Sequence, residues 1–173
     1  MQHDDTILVI ANNPDDVLFV TSVLKRLGKT SPLQVLSDGF AAVQYLKGEG
    51  PFRRRKQFRM PQLMLLDLDL PLSSGFEFLE WLRQEPELRH LPVVAFSGSV
   101  LSEDLDRADE LGANYLLFKD SDLEDYTATL KQVLDFWLNP CQAPDSVSSP
   151  DWLVSTAKPG LRPNIGWVPR SRP

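Results

Sequence analysis

The sequence predicts an α/β protein built on a doubly wound, five-stranded parallel sheet. Two observations carry this. Short continuous apolar runs alternate five times with segments whose apolar residues recur at helical spacing. Each run is apolar throughout, the pattern of a strand covered on both faces. Of the 173 residues, 42% are hydrophobic and 24% charged, the balance of a globular chain that can bury a core without staples.

The elements follow in order. Ile7 to Ile10 is a β-branched run and reads as a strand. Asn13-Pro14-Asp15-Asp16 then opens a helix: asparagine caps, proline fits the first helical position, and acids in the first turn favour the helix dipole. Val17, Val20, Val23 and Leu24 continue it until Gly28. Leu33 to Leu36 is a strand; Ser37-Asp38 opens a helix running through Leu46 and closed by Gly48. Leu63 to Leu66 is a strand, and Gly75 to Arg83 a helix with Phe76, Leu79 and Leu82 on one face. Leu91 to Phe96 is a strand, followed by a helix capped by Ser102 and ending at Gly112. Tyr115 to Phe118 is the last strand, and Ser121 with Glu124 forms a capping box for a helix reaching Leu138. Right-handed crossovers and the size favour a flavodoxin-like sheet; a (β/α)8 barrel needs more chain.

Two regions stand outside this rhythm. Gly48 to Gln57, with the basic run Arg53 to Lys56, reads as an exposed loop whose charges form a solvated face. Residues 140–173 are rich in serine and hold half of the 14 prolines, and read as a disordered tail following a folded domain of residues 1–139. Trp152 and Trp167 in that tail are candidates for docking on the domain or on another protein.

Composition narrows the setting. The single cysteine, Cys141, has no partner in the chain, which fits a reducing compartment and a cytoplasmic location. The N-terminus lacks the basic and apolar regions of a signal peptide, and no apolar run is long enough to span a bilayer. A net charge of −6 argues against nucleic acid as the main partner. The tail is too short for a DNA-binding output domain, so output is expected through protein contact. The candidate surface is Ser102 to Leu111 with Leu123 to Leu138, used toward a kinase, a target or a second copy.

Sheets of this kind place chemistry at the carboxyl ends of their strands. The residues there are Ala11-Asn12-Asn13, Asp67, Ser97-Gly98 and Lys119-Asp120. Singly, Asp67 is a turn or cap residue, Ser97 a turn hydroxyl and Lys119 a surface lysine. On adjacent strands they place a carboxylate, a hydroxyl and an ammonium on one cleft. That set suits phosphoryl transfer: a carboxylate can form an acyl phosphate, and a lysine can pair with phosphoryl oxygens.

At these residues the chain resembles the receiver domains of bacterial response regulators. Leu65-Leu66-Asp67-Leu68-Asp69-Leu70-Pro71 with Ser74-Gly75 is similar to the family's phosphorylation-site signature. Pro92-Val93-Val94-Ala95-Phe96-Ser97-Gly98 resembles its switch-hydroxyl strand, and Leu111 to Lys119 the strand carrying its lysine. The resemblance runs from about Thr6 to Leu138. The segment Gly48 to Met60 and the ending Phe136-Trp137-Leu138 most resemble small stand-alone regulators that pair with phytochrome-type kinases. The resemblance implies that Asp67 takes phosphate from a histidine kinase or phosphotransfer protein, that Ser97, Gly98 and Lys119 bind the phosphoryl group, and that no catalytic turnover is involved.

The chain also departs from the family. Receivers carry two acids after the first strand that hold magnesium with the acceptor; here Ala11 and Asn12 stand there. Alanine offers no oxygen and asparagine a neutral one, so a magnesium site of Asn12, Asp67 and the carbonyl of Asp69 is expected to be weak. Asp15 and Asp16 are read as first-turn residues serving the dipole, with rescue of the metal by Asp15 the lesser alternative. The proline that usually follows the lysine is Asp120; a cis bond without proline costs about 3 kcal/mol, so that loop is expected to be trans or rebuilt. Leu116 matches the usual switch aromatic, which disfavours an aromatic rotamer switch. Two readings remain: a metal-weak phospho-receiver, or a degenerate receiver that binds partners without phosphate. Asp67-Leu68-Asp69 also resembles the nucleophile motif of haloacid-dehalogenase-type phosphatases, but that motif belongs on the first strand and needs a later acidic pair.

Overall fold

The computed structural model describes residues 6–71, 74–98, 102–119 and 123–138. The tail with Trp152 and Trp167, Ser121 of the expected capping box and the loop at Asp120 lie outside the described residues. The elements are β1 (Ile7–Ile10), α1 (Pro14–Arg26), β2 (Leu33–Leu36), α2 (Gly39–Lys47), a 3-10 turn (Gly50–Phe52), β3 (Leu63–Asp67), α3 (Gly75–Gln84), β4 (Val93–Ser97), α4 (Ser102–Glu110), β5 (Tyr115–Phe118) and α5 (Leu123–Leu138). All strand pairs are parallel, in the order β2-β1-β3-β4-β5. This is the doubly wound, flavodoxin-like sheet expected from the sequence.

Strand alternation divides the core into two layers. Ile7, Val9, Leu63, Leu65, Val94, Phe96 and Leu117 pack with α1 and α5, against Val20, Val23, Leu24, Leu130, Val133 and Leu134. Leu8, Ile10, Met64, Leu66, Val93, Ala95 and Leu116 pack on the other face with α2, α3 and α4. Successive residues point to opposite faces, so a strand covered on both must be apolar at every position. β1 and the Leu63–Leu66 run meet that demand and are wholly buried.

The helix starts follow their caps. Asn13 accepts from the Asp15 amide, Asp38 from Ala41 and Ser74 from Glu77. Gly48 ends α2 in the left-handed region at φ 69, where a side chain would be strained. β4 starts at Val93 rather than Leu91, because Pro92 has no N–H for the ladder and the Leu91 amide closes a turn on Leu88.

The segment 48–57 is mostly exposed, as expected, but is anchored at Phe52 and Arg55. Phe52 and Phe58 pack edge-to-face with each other and with Tyr45, whose hydroxyl donates to the Arg59 carbonyl. Arg55 donates to the carbonyls of Tyr45 and Leu46, capping the carboxyl end of α2. Arg53, Arg54 and Lys56 are exposed, as a solvated face requires.

Arg83 ties the opposite end of the sheet. Its guanidinium donates to the carbonyls of Gly112, Arg89 and Leu91 and to Asn114 Oδ1, while that same oxygen accepts the Val93 amide. Burial pulls Arg83 down to about 10, yet it stays charged at neutral pH. Arg83→Met is expected to lower the unfolding free energy by about 2–3 kcal/mol, because several carbonyls lose their donor at once. Urea titration measures this; a loss under about 0.5 kcal/mol, the range of ordinary surface changes, would show that the carbonyls find other partners.

Candidate functional site

Side-chain parity sets the site. Leu63 and Leu65 face the α1/α5 layer, so Asp67, two residues on, opens on that side at the carboxyl edge. Leu117 faces the same layer, and Lys119 follows it by two. The Lys119 amide donates to the Ser97 carbonyl at 3.0 Å, keeping the chain paired with β4 beyond the strand. The result is direct contact: Lys119 Nζ is 2.9 Å from Asp67 Oδ2 and lies over the Phe96 ring, 5.0 Å from its centroid.

The same ammonium is 2.8 Å from Asp16 Oδ2. Asp16 therefore does more than serve the dipole: it is a partner of the site, which the sequence alone does not reveal at first sight. A signal is nonetheless present. The Asn13 cap and Pro14 fix the helix start, so Asp16 falls in the third helical position, beside the carboxyl ends of the strands. Asp15 is exposed and its amide is held by Asn13, so it does not fill the acidic pocket.

Asp69 also departs from expectation. Its amide donates to Asp67 Oδ1 at 2.9 Å. Its carboxylate, for which the sequence suggests no role, accepts from the Gly98 amide at 2.8 Å and from Ser97 Oγ at 3.3 and 3.4 Å. Ser97, buried at 2% exposure, thus joins the cluster through Asp69. A Cβ on Gly98 would sit 3.6 Å from the Asp69 carboxylate, an ordinary contact, so what Gly98 contributes here is its N–H. By contrast, a Cβ on Gly75 would land on the Asp67 carbonyl oxygen and 2.6 Å from Leu68 Cα. Glycine there lets α3 start against the end of β3.

Burial raises the Asp67 carboxyl above its ordinary value, outweighing the Lys119 hydrogen bond, the Asp69 amide and the Lys119 charge. Burial alone would pull Lys119 down, but the hydrogen bonds and charges of Asp16 and Asp67 dominate and the net shift is upward. Tyr126, stacked on Phe19 at 4.7 Å, is pushed up by burial and then by the charges of Asp16 and Asp67. An ionised carboxylate beside a fixed ammonium, under a low-dielectric wall, is a competent nucleophile with a charge partner for an anionic substrate.

The donor set does not fit magnesium. Ala11 has no ligand atom and Asn12 is exposed. The Asp16 carboxylate is engaged by Lys119, that of Asp69 by Ser97 and Gly98, and that of Asp67 by Lys119 and the Asp69 amide. Among the described residues no three His, Cys, Asp or Glu side chains are grouped to hold a metal ion. Of the expected set, Asn12 is exposed and the Asp67 carboxylate is already held by Lys119 and the Asp69 amide; the third expected donor is the Asp69 backbone carbonyl, not its carboxylate.

Fold and site together define a signalling module of the receiver type. Residues 7–131 match the response regulator receiver domain, and the chain belongs to that family. The response regulator Rcp1 of Synechocystis sp. is 33% identical over 138 residues, 80% of this chain and 92% of that protein. The probable methanogenesis regulatory protein FilR2 of Methanothrix harundinacea is 34% identical over 133 residues, 76% of this chain and 83% of that protein. The crystal structure of the Mn(2+)-bound form of Rcp1 superposes with a TM-score of 0.71 at 32% identity, over 81% of this chain and 99% of that one. The phosphorylated cyanobacterial phytochrome response regulator RcpA gives 0.72 at 28% identity, over 82% and 99%. The expected likeness to phytochrome-associated regulators is matched by these neighbours.

The raised Asp67 carboxyl has a consequence for stability. A group whose folded pKa is raised contributes stability below its unfolded pKa and loses it as pH rises through the folded value. Asp67→Asn is therefore expected to raise the melting temperature at neutral pH by a few degrees, with Lys119 still held by Asp16. The gain should fade as pH falls below ~4, the ordinary carboxyl value of the unfolded chain. Differential scanning calorimetry at both pH values checks this; a variant that melts lower at neutral pH would show that the Lys119 pairing outweighs burial.

Proposed function

We propose that this protein is a stand-alone response regulator that accepts a phosphoryl group on Asp67 from a histidine kinase or phosphotransfer protein, and signals through protein contact. The observation that carries the reading is the pairing of buried Asp67 with half-buried Lys119 at the carboxyl edge, with Ser97 Oγ and the Gly98 amide at the end of the next strand. In the transfer, an Asp67 oxygen attacks phosphorus and the P–N bond of the phosphohistidine breaks. The imidazole nitrogen keeps the electron pair and takes a proton from solvent. Lys119 turns toward the phosphoryl oxygens, whose charge it balances. The likeness to the phytochrome response regulator RcpA supports a phytochrome-type kinase as donor.

Output falls on α4 and α5. Glu103, Asp106, Asp109 and Glu110 are exposed on α4, an acidic face suited to a basic partner surface, whether a target or a second copy. The absence of a carboxylate at Ala11 favours a second reading, in which this face binds its partner without phosphate.

Intact-mass measurement after incubation with acetyl phosphate separates the two. One phosphoryl addition is expected with or without magnesium, absent in Asp67→Asn and slowed about a hundredfold in Lys119→Met. No addition under any condition would leave the phosphate-independent reading.

A further inference from the structure

We propose that the Asp69 carboxylate is an internal ligand of the anion pocket formed by Ser97 and Gly98, which an incoming phosphoryl oxygen must displace. This rests on the phosphoryl-acceptor reading and adds its regulation. An anionic oxygen seeks an N–H and an O–H donor in convergent geometry. Gly98 N and Ser97 Oγ supply such a pair, and both already meet one carboxylate.

The placement is fixed from behind. The Asp69 amide is tied to Asp67 Oδ1, so its backbone is anchored to the acceptor while its side chain crosses to the end of β4. Among the described residues no cation pairs with it: Lys119, the ammonium of the cluster, is taken by Asp16 and Asp67. The carboxylate is therefore held by the same two donors a phosphoryl oxygen needs. A dianionic group on Asp67 cannot share them with a second anion at contact distance, since like charges in a partly buried site repel. Asp69 must swing away, and it competes until it does.

The test is orthophosphate binding, followed by the Gly98 amide in 15N–1H NMR spectra of the wild type, Asp69→Ala and Asp69→Asn. Asp69→Ala is expected to bind orthophosphate about tenfold tighter than wild type, because a charge-assisted contact no longer competes. Asp69→Asn, nearly isosteric and so insulated from folding effects, should also bind tighter through loss of charge. Equal affinity in all three proteins overturns the proposal. The acetyl phosphate reaction is run on the same samples. Tighter orthophosphate binding with no phosphoryl addition in any protein would sustain the role of Asp69 and sink the acceptor reading. Addition in every protein with unchanged orthophosphate affinity would do the reverse.

Discussion

Lys119 lies between two carboxylates that reach it from different parts of the fold, Asp67 from the end of β3 and Asp16 from the first turn of α1. Asp67 and Lys119 would each be costly where they sit without an opposite charge. Asp67 is buried to 3% exposure, and a lone carboxylate there would be driven toward its neutral form. Burial would drive a lone Lys119 the same way, with only the face of the Phe96 ring to favour its charge. Together they stay charged. The first helix, the central strand and the last strand must therefore meet at one point, and the positions of β1, β4 and their loops follow from that demand.

The sheet and its order are legible because burial on both faces writes itself into sequence. A run that is short and apolar at each position, as in Ile7 to Ile10 or Leu63 to Leu66, fits a central parallel strand and little else. Asp67 stands out for the same reason: an acid that ends such a run has nowhere to go but the rim. Asp16 is hidden because two adjacent acids after a cap already have a local role in the helix dipole, and only the angle at which α1 leaves β1 separates the exposed one from the inward one. Asp69 is hidden because its side chain bonds across a loop to the next strand, a contact set by strand register rather than by spacing. The 48–57 segment looks like open loop because Phe52 and Phe58 have no period of their own; their partner is Tyr45, on the preceding helix.

The family's acidic pair sits directly after the first strand, and here that place is taken by alanine and asparagine. Acid is nonetheless present, displaced into the helix and turned toward lysine. The electrostatic character of the cleft changes accordingly. In the cluster of Asp16, Asp67, Asp69 and Lys119, carboxylates outnumber cations three to one, and each carboxylate is satisfied by hydrogen bonds from the chain itself. The site holds its negative charge by internal donors, where an open pocket would need an outside ion.

The Lys119–Asp16 contact joins residues 103 positions apart, and the Lys119–Asp67 contact residues 52 apart. Contacts of such separation form late, since closing a long loop costs entropy before any contact rewards it. On the ribosome, β1, α1 and β3 are all made before the lysine that neutralises their acids exists. Until β5 docks, Asp16 and Asp67 lack the ammonium that both contact in the folded chain. Assembly of the cluster therefore waits for the last strand. A chain that lacks β5 lacks the charge partner of both carboxylates.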